Sequence, residues 1–464
     1  MRLFNSSTYI NRRVQLARQV KTGIIIILGN NESPMNYEDN TYPFRQDSTF
    51  LYFFGLIKAK LAATIDCETG ESKLYGDDPT LDEIIWTGPQ KSLSELGDKA
   101  GVSSTYPFRQ VYETIQNAVK SNQQIHFIKP YRNDHLILMA DLLHVSTEKI
   151  KTSYSTKLIE GIVNQRLYKS DEELEEIERA VNITGEMHLT AMKMARVGMK
   201  EQDITSKLLE ISTSYGGYYS FPPIVTVHGE TLHNHYYGNT LNKGDLLLVD
   251  SGAETNMGYA GDMTRTFPIG QRFTSIQKDI YQTVLNAHNS AVEMLKPGIE
   301  FRDVHLAAAK KITEGLKDLN LMRGDIDEAV ETGAHAMFFQ CGLGHLMGLD
   351  VHDMENLGEQ NVGYTQDMIK SKQFGLKSLR LGRKLEEGFV LTVEPGIYII
   401  PSLIDLWKGE NKFKEFINYS ELEKFRSFGG IRIEEDFVIT DEGSRLLGNE
   451  IPKSIEAVEN TITF

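Results

Sequence analysis

Cysteine is scarce in this chain: Cys67 and Cys341 are the only two among 464 residues. Two thiols so far apart give no disulfide framework and no Cys-rich metal site, and they suit a reducing compartment. Long apolar runs are missing as well. A membrane helix needs roughly 20 such residues, and the most obvious stretch, residues 24–28, is far too short. Basic charge is in deficit, with 49 Lys and Arg against 64 Asp and Glu, a formal net charge of −15. That balance argues against nucleic acid or an anionic membrane as the main partner. The opening residues, Met1-Arg2-Leu3-Phe4-Asn5-Ser6, carry no apolar core of a secretion signal. A cytoplasmic protein is the expectation. Apolar content of 40% and charged content of 24% are ordinary for a globular chain, and the length suffices for two or three domains.

What the chain does have is acid placed on apolar strands. Residues 246–267 read LLLVDSGAETNMGYAGDMTRTF, two apolar segments around a turn signal containing Asn256 and Gly258. A turn centred on Asn256 sets Asp250 directly opposite Asp262, with Cβ atoms about 4.5–5.5 Å apart. Two buried like charges that close repel, and a cation between them reverses the sign. Paired metals roughly 3.5–4 Å apart fit between such carboxylates. Taken alone, the hairpin fits two solvated acids on an edge strand equally well.

Further acids and histidines follow in order. They are Gly342-Leu343-Gly344-His345, Gly348-Leu349-Asp350-Val351-His352-Asp353, Thr392-Val393-Glu394-Pro395-Gly396 and Gly430-Ile431-Arg432-Ile433-Glu434-Glu435-Asp436. With the hairpin, these resemble the five-ligand signature of the pita-bread metallopeptidases. Near the N-terminus, Tyr42-Pro43-Phe44-Arg45-Gln46-Asp47-Ser48 running into Tyr52-Phe53-Phe54-Gly55 resembles the N-terminal domain of the Xaa-Pro aminopeptidases (aminopeptidase P). The resemblance covers most of the chain. One departure is a turn between the two aspartates that is a residue longer than is usual in the family.

The resemblance implies five metal ligands: Asp250, Asp262, His345, Glu394 and Glu434. Asp262 and Glu434 would bridge two ions, Asp250 completing one site, His345 and Glu394 the other. Four carboxylates and one imidazole form a hard, oxygen-rich set. Two divalent ions are therefore expected, Mn²⁺ foremost, with Co²⁺ or Zn²⁺ able to substitute. Glu394 would also handle a proton during catalysis. His352 is placed to donate to the developing oxyanion, and His233 matches a histidine lining the proline side of the cleft. Arg432, two residues before Glu434, shares its strand face and would orient a carboxylate or a substrate carbonyl. Cys341 stands where aminopeptidases P commonly carry a histidine, which implies a roomier and less polar substrate pocket for proline. His228, His235 and His335 are read as structural or surface residues, and Glu435 as facing away from the metals.

The function implied is removal of an N-terminal residue from peptides with proline in second position. Prolidase action on Xaa-Pro dipeptides is the close alternative. A catalytically inactive binding protein is disfavoured, because all five ligands are present, and a methionine aminopeptidase needs no domain of the 1–165 type. Proline-containing peptides are the expected partners, with no nucleic acid and no membrane, and the protein is expected to form a homodimer or higher homo-oligomer.

The fold class expected is α+β. Residues 1–168 would form a smaller α/β domain, with strands at 23–29, 49–55, 61–66 and 72–75 and helices at 8–20, 92–101, 111–121 and 136–143. Residues 169–464 would form the pseudo-symmetric catalytic domain, opened at Ser170 and Glu173 by a capping box. Each half would place two helices before an acid-bearing strand pair. Residues 363–387 and 401–428 are polar inserts placed at the surface, as a cover for the cleft, a subunit contact or decoration. The hexapeptide Thr-Tyr-Pro-Phe-Arg-Gln occurs twice, at 41–46 and 105–110.

Overall fold

The computed structural model describes residues 3–270 and 272–462. The chain divides into two compact units, Met1–Arg166 with Met354–Asn361, and Leu167–Asp353 with Val362–Phe464. In the first, five strands form one mixed sheet: β1 (Ile24–Leu28), β2 (Ala62–Asp66), β3 (Ser72–Tyr75), β4 (Ser104–Tyr106) and β5 (Ile125–His126), in the order β4-β3-β2-β1-β5. The continuous isoleucine run of β1 suits a central strand covered on both faces. Residues 24–27 are buried, between antiparallel β2 and parallel β5.

One expected strand is a helix. Residues 49–55, rich in aromatics, fold as Ser48–Phe54, capped by Asp47 accepting from Phe50 N at 2.9 Å and ended by Gly55 at φ +68°. All seven helix residues are buried. With no polar face, the helix shows no 3.6-residue alternation in sequence, and aromatic content alone pointed to a strand.

In the second unit, the Ser170–Glu173 capping box forms and opens the helix Asp171–Met194. Ile177, Ala180, Val181, Thr184 and Met187 are all buried. Five strands follow this helix, β6 (Tyr218–Tyr219), β7 (Ile224–Thr226), β8 (Leu246–Ser251), β9 (Ala253–Glu254) and β10 (Met263–Pro268), and the helix packs on the last three. Helices Ser275–Met294 and Phe301–Asp318 then precede β11 (Val390–Val393), β12 (Gly396–Tyr398), β13 (Gly430–Arg432), β14 (Glu435–Ile439) and β15 (Ser444–Leu446). The expected second strand pair is thus two short ladders, β11 with β14 and β12 with β13, broken beside Glu394 and Glu434. Glu434 N donates to Thr264 O at 3.1 Å, joining the two halves at the acid-bearing strands.

The hairpin register differs from expectation. Asp250 faces Thr264, not Asp262, and Ser251 faces Met263. The turn is centred on Met257: Thr255 N donates to Tyr259 O, and Gly258, at φ +89°, donates to Thr255 O, both at 2.9 Å. Glycine supplies the left-handed residue the turn requires, so Gly258 rather than Asn256 sets the register. The shift moves each cross-strand partner by two residues, so both aspartates keep the same face and become diagonal neighbours. The inserts are also less superficial than expected. Tyr364, Leu379, Leu381 and Leu385 are buried in one, and Ile404, Trp407, Phe416 and Ile417 in the other.

Candidate active site

The diagonal aspartates, the segment after Gly344 and the broken strand ladders converge on one pocket. Its lining includes Asp250, Asp262, Cys341, His345, His352, Glu394, Arg432, Glu434 and His233. Ligating atoms of Asp262, His345 and Glu434 lie within 4.8 Å of one another. His345 Nε2 is 3.4 Å from Asp262 Oδ2 and 3.6 Å from Glu394 Oε1. Its Nδ1 is 3.1 Å from Leu346 O. A carbonyl only accepts, so Nδ1 donates to it, and Nε2 is the nitrogen turned to the two carboxylates. His345 is held there by its neighbours. Its N–H donates to Thr392 Oγ1 at 3.1 Å, its carbonyl accepts from Thr392 N at 3.0 Å, and a Cβ at Gly344 would stand 2.0 Å from Thr392 O.

The carboxylates are crowded and dry. Burial, with the Asp250 charge behind it, pushes Asp262 well above the usual carboxylate range. Burial, then Asp262 and Glu394, does the same to Glu434. Glu394 is pushed up to about 7, mainly by burial, although His345 and Arg432 oppose the shift. The buried Oδ1 atoms of Asp250 and Asp262 have no hydrogen-bond partner among the described residues. Orphaned acceptors on buried, crowded acids beside a correctly oriented imidazole fit divalent cations, which would supply the missing positive charge.

Arg432 turns towards the protein. Its Nη2 donates to Asp250 Oδ2, its Nη1 to Tyr398 Oη at 2.7 Å and its Nε to Thr264 Oγ1 at 3.0 Å. It therefore orients a carboxylate, that of Asp250, and all three of its nitrogens are engaged. The His345 and His352 rings are 4.2 Å apart in an edge arrangement. Half-buried Cys341 has its thiol pushed up to about 12 by burial and by Glu394, and its Sγ is 3.8 Å from Tyr398 Oη. That thiol is no nucleophile at neutral pH.

Several neighbours carried no sequence signal. Arg380, from the insert expected at the surface, lines the pocket, as does His235, and Phe221, Pro222, Ile224, Leu232 and Val351 add apolar walls. Arg380 reaches the wall because its segment crosses Gly342, where a Cβ would stand 2.9 Å from Leu379 Cα and from Ser378 O. Asp436, wholly buried, accepts from Asp262 N at 3.1 Å. Glu435 lies apart from the pocket, 2.6 Å from both Arg265 and Lys453. His228 is exposed beside Glu230, and His335 is fully buried.

Comparison with known proteins agrees with this geometry. The model of metallopeptidase family M24 matches residues 175–441, and that of the aminopeptidase P N-terminal domain matches residues 9–126. A Xaa-Pro dipeptidase of Rattus norvegicus is 32% identical, over 95% of this chain and 89% of that protein. A Xaa-Pro aminopeptidase of Haemophilus influenzae is 30% identical, over 98% and 96%. The solved structure of proline aminopeptidase P II from Yersinia pestis superposes with a TM-score of 0.83 at 29% identity, covering 99% of both chains. The chain belongs to metallopeptidase family M24, with an aminopeptidase P type N-terminal domain ahead of its catalytic domain.

Proposed function

We propose that this protein is a Xaa-Pro aminopeptidase, releasing the first residue of peptides whose second residue is proline. Residues 1–168 form its N-terminal domain and 169–464 its catalytic domain. The observation that carries the reading is the cluster of Asp262, His345 and Glu434, flanked by Asp250 and Glu394 on the same pocket wall. These five residues would hold two divalent cations, of which Mn²⁺ suits the oxygen-rich donors best. Bound there, the cations supply Lewis-acid polarisation and lower the pKa of the attacking water.

The chain's own residues do the rest. Glu394, on the pocket wall beside His345, accepts a proton from the attacking water and returns it to the leaving nitrogen. That nitrogen belongs to proline and carries no hydrogen of its own in the peptide, so a proton has to be delivered to it. His352 donates to the carbonyl oxygen as negative charge develops. Ile224, Leu232 and Val351 supply apolar wall for the ring, with His233 and Cys341 at its side. The peptides act as substrates in a cytoplasmic homo-oligomer.

Arg380 favours a second reading. A guanidinium on the pocket wall suits the free carboxylate of a Xaa-Pro dipeptide, which a longer peptide lacks at that position. The test compares a Xaa-Pro dipeptide with a Xaa-Pro-Pro tripeptide, on wild type and on Arg380→Ala. Aminopeptidase action gives tripeptide turnover that survives the substitution. Turnover of the dipeptide alone, lost in Arg380→Ala, makes the enzyme a prolidase.

A further inference from the structure

Glu434 is the acid that both halves of the site share, and its carboxylate is not held by the cluster alone. Thr264, on β10 of the first half, is fully buried. Its hydroxyl lies 2.7 Å from Glu434 Oε2 and 3.0 Å from Arg432 Nε. The direction of these bonds follows from chemistry. A guanidinium has no acceptor, so Arg432 donates and uses a lone pair of Oγ1. A hydroxyl has one proton, and an ionised carboxylate only accepts, so that proton goes to Oε2. The bond occupies one acceptor position of Oε2 and restrains the carboxylate, of which an oxygen lies within 4.8 Å of the ligating atoms of Asp262 and His345. The Thr264 main chain is anchored independently. Its carbonyl accepts from Glu434 N and from Arg265 Nη1, each at 3.1 Å, and it stands opposite Asp250 in the ladder.

We propose that Thr264 is a positioning residue for the metal centre: its hydroxyl, aimed by Arg432, holds Glu434 in the orientation that bridges two cations. This rests on the reading of Glu434 as a ligand. Valine in place of Thr264 keeps the branched shape and loses the hydroxyl, whereas serine keeps the hydroxyl and loses the methyl. A role in packing alone ranks valine above serine, and a role through the hydroxyl ranks serine above valine.

The experiment equilibrates full-length wild type, Thr264→Val and Thr264→Ser with buffers of graded free Mn²⁺ and measures metal per chain. Hydrogen-bond partners of metal ligands typically contribute about 10–100-fold to affinity. Thr264→Val should therefore need about 10–100-fold more free Mn²⁺ for half occupancy, and Thr264→Ser should stay close to wild type. Equal affinity in Thr264→Val, or weaker binding in Thr264→Ser than in Thr264→Val, overturns the proposal. Should Thr264→Val not fold, Thr264→Ser against Thr264→Ala separates the hydroxyl in the same way, and equal affinity of that pair overturns it. Wild type that takes up no Mn²⁺ at any concentration overturns the reading of the metal site itself.

Discussion

Glu434 and Glu435 follow one another in the chain and are buried alike, 2% and 1% exposed, yet the protein treats their charges in opposite ways. Glu435 has Arg265 and Lys453 at 2.6 Å and His288 at 3.7 Å. The Arg265 and Lys453 charges outweigh the effect of burial and hold its carboxyl below the ordinary range. Glu434 is surrounded by Asp262, Glu394 and Asp250, with Arg432 the opposing charge, and is held well above that range. One acid is neutralised by the chain, and the other is left for something the chain does not contain. Glu434 bridges to Thr264 in the break between β13 and β14, and Glu435 is the first residue of β14. Two consecutive residues at a strand break thus serve chemistry and folding.

Glu434→Ala and Glu435→Ala should consequently fail in different ways. Glu434→Ala should lose essentially all turnover and most bound divalent metal, while the metal-free protein melts no lower than metal-free wild type, because the repulsion of Glu434 by Asp262, Glu394 and Asp250 is removed. Metal analysis and melting of both proteins check this, and a Glu434→Ala protein with full metal and normal rate would break the comparison. Glu435→Ala strands a fully buried Arg265 without its partner, which typically costs about 3–5 kcal/mol. Denaturant unfolding should report that loss, and folded Glu435→Ala protein should still bind metal.

The histidines on the two sides sharpen the contrast. His352 faces the pocket, and removing one donor to an oxyanion costs on the order of 10²–10³ in kcat. His352→Ala should show that loss with KM little changed; a normal kcat with a raised KM makes it a binding residue instead. His288 is wholly buried, pushed down to about 4 by desolvation, and so neutral at pH 7. His288→Ala should lower the melting temperature and leave kcat alone. The smallest effect expected is at Cys341. Cys341→His should narrow the pocket and raise the preference for Xaa-Pro over Xaa-Ala peptides several-fold, about 1 kcal/mol, the low end of what pocket contacts supply. Cys341→Ser should retain activity, and its complete loss with metal intact would assign the thiol a chemical role.

The five candidate ligands were legible through the resemblance of their short local contexts to a known signature, and all five line one pocket. What was misread depended on contacts distant in sequence. The hairpin register turned on which of two turn formers, Asn256 or Gly258, takes the left-handed position. Ser48–Phe54 is covered on every side, so its helical period is invisible in composition. Arg380 belongs to a polar insert with no motif, and only the passage of Leu379 over Gly342 brings it to the pocket. The repeated hexapeptide makes the same point. Gln46 is buried, accepting from Asn30 N at 2.6 Å and donating to Lys58 O at 2.8 Å, whereas its twin Gln110 opens the helix Gln110–Lys120 and is exposed. Six identical residues adopt two structures because their surroundings differ.

Chelation tests the metal centre most directly. Divalent metal per chain and turnover of a Xaa-Pro peptide are measured together, before chelation, after it and after Mn²⁺ is returned. Two cations held by Asp250, Asp262, His345, Glu394 and Glu434 predict about two ions per chain, turnover abolished with their removal, and recovery of both with Mn²⁺. Active protein without bound divalent metal, or a rate unchanged by chelation, would contradict it.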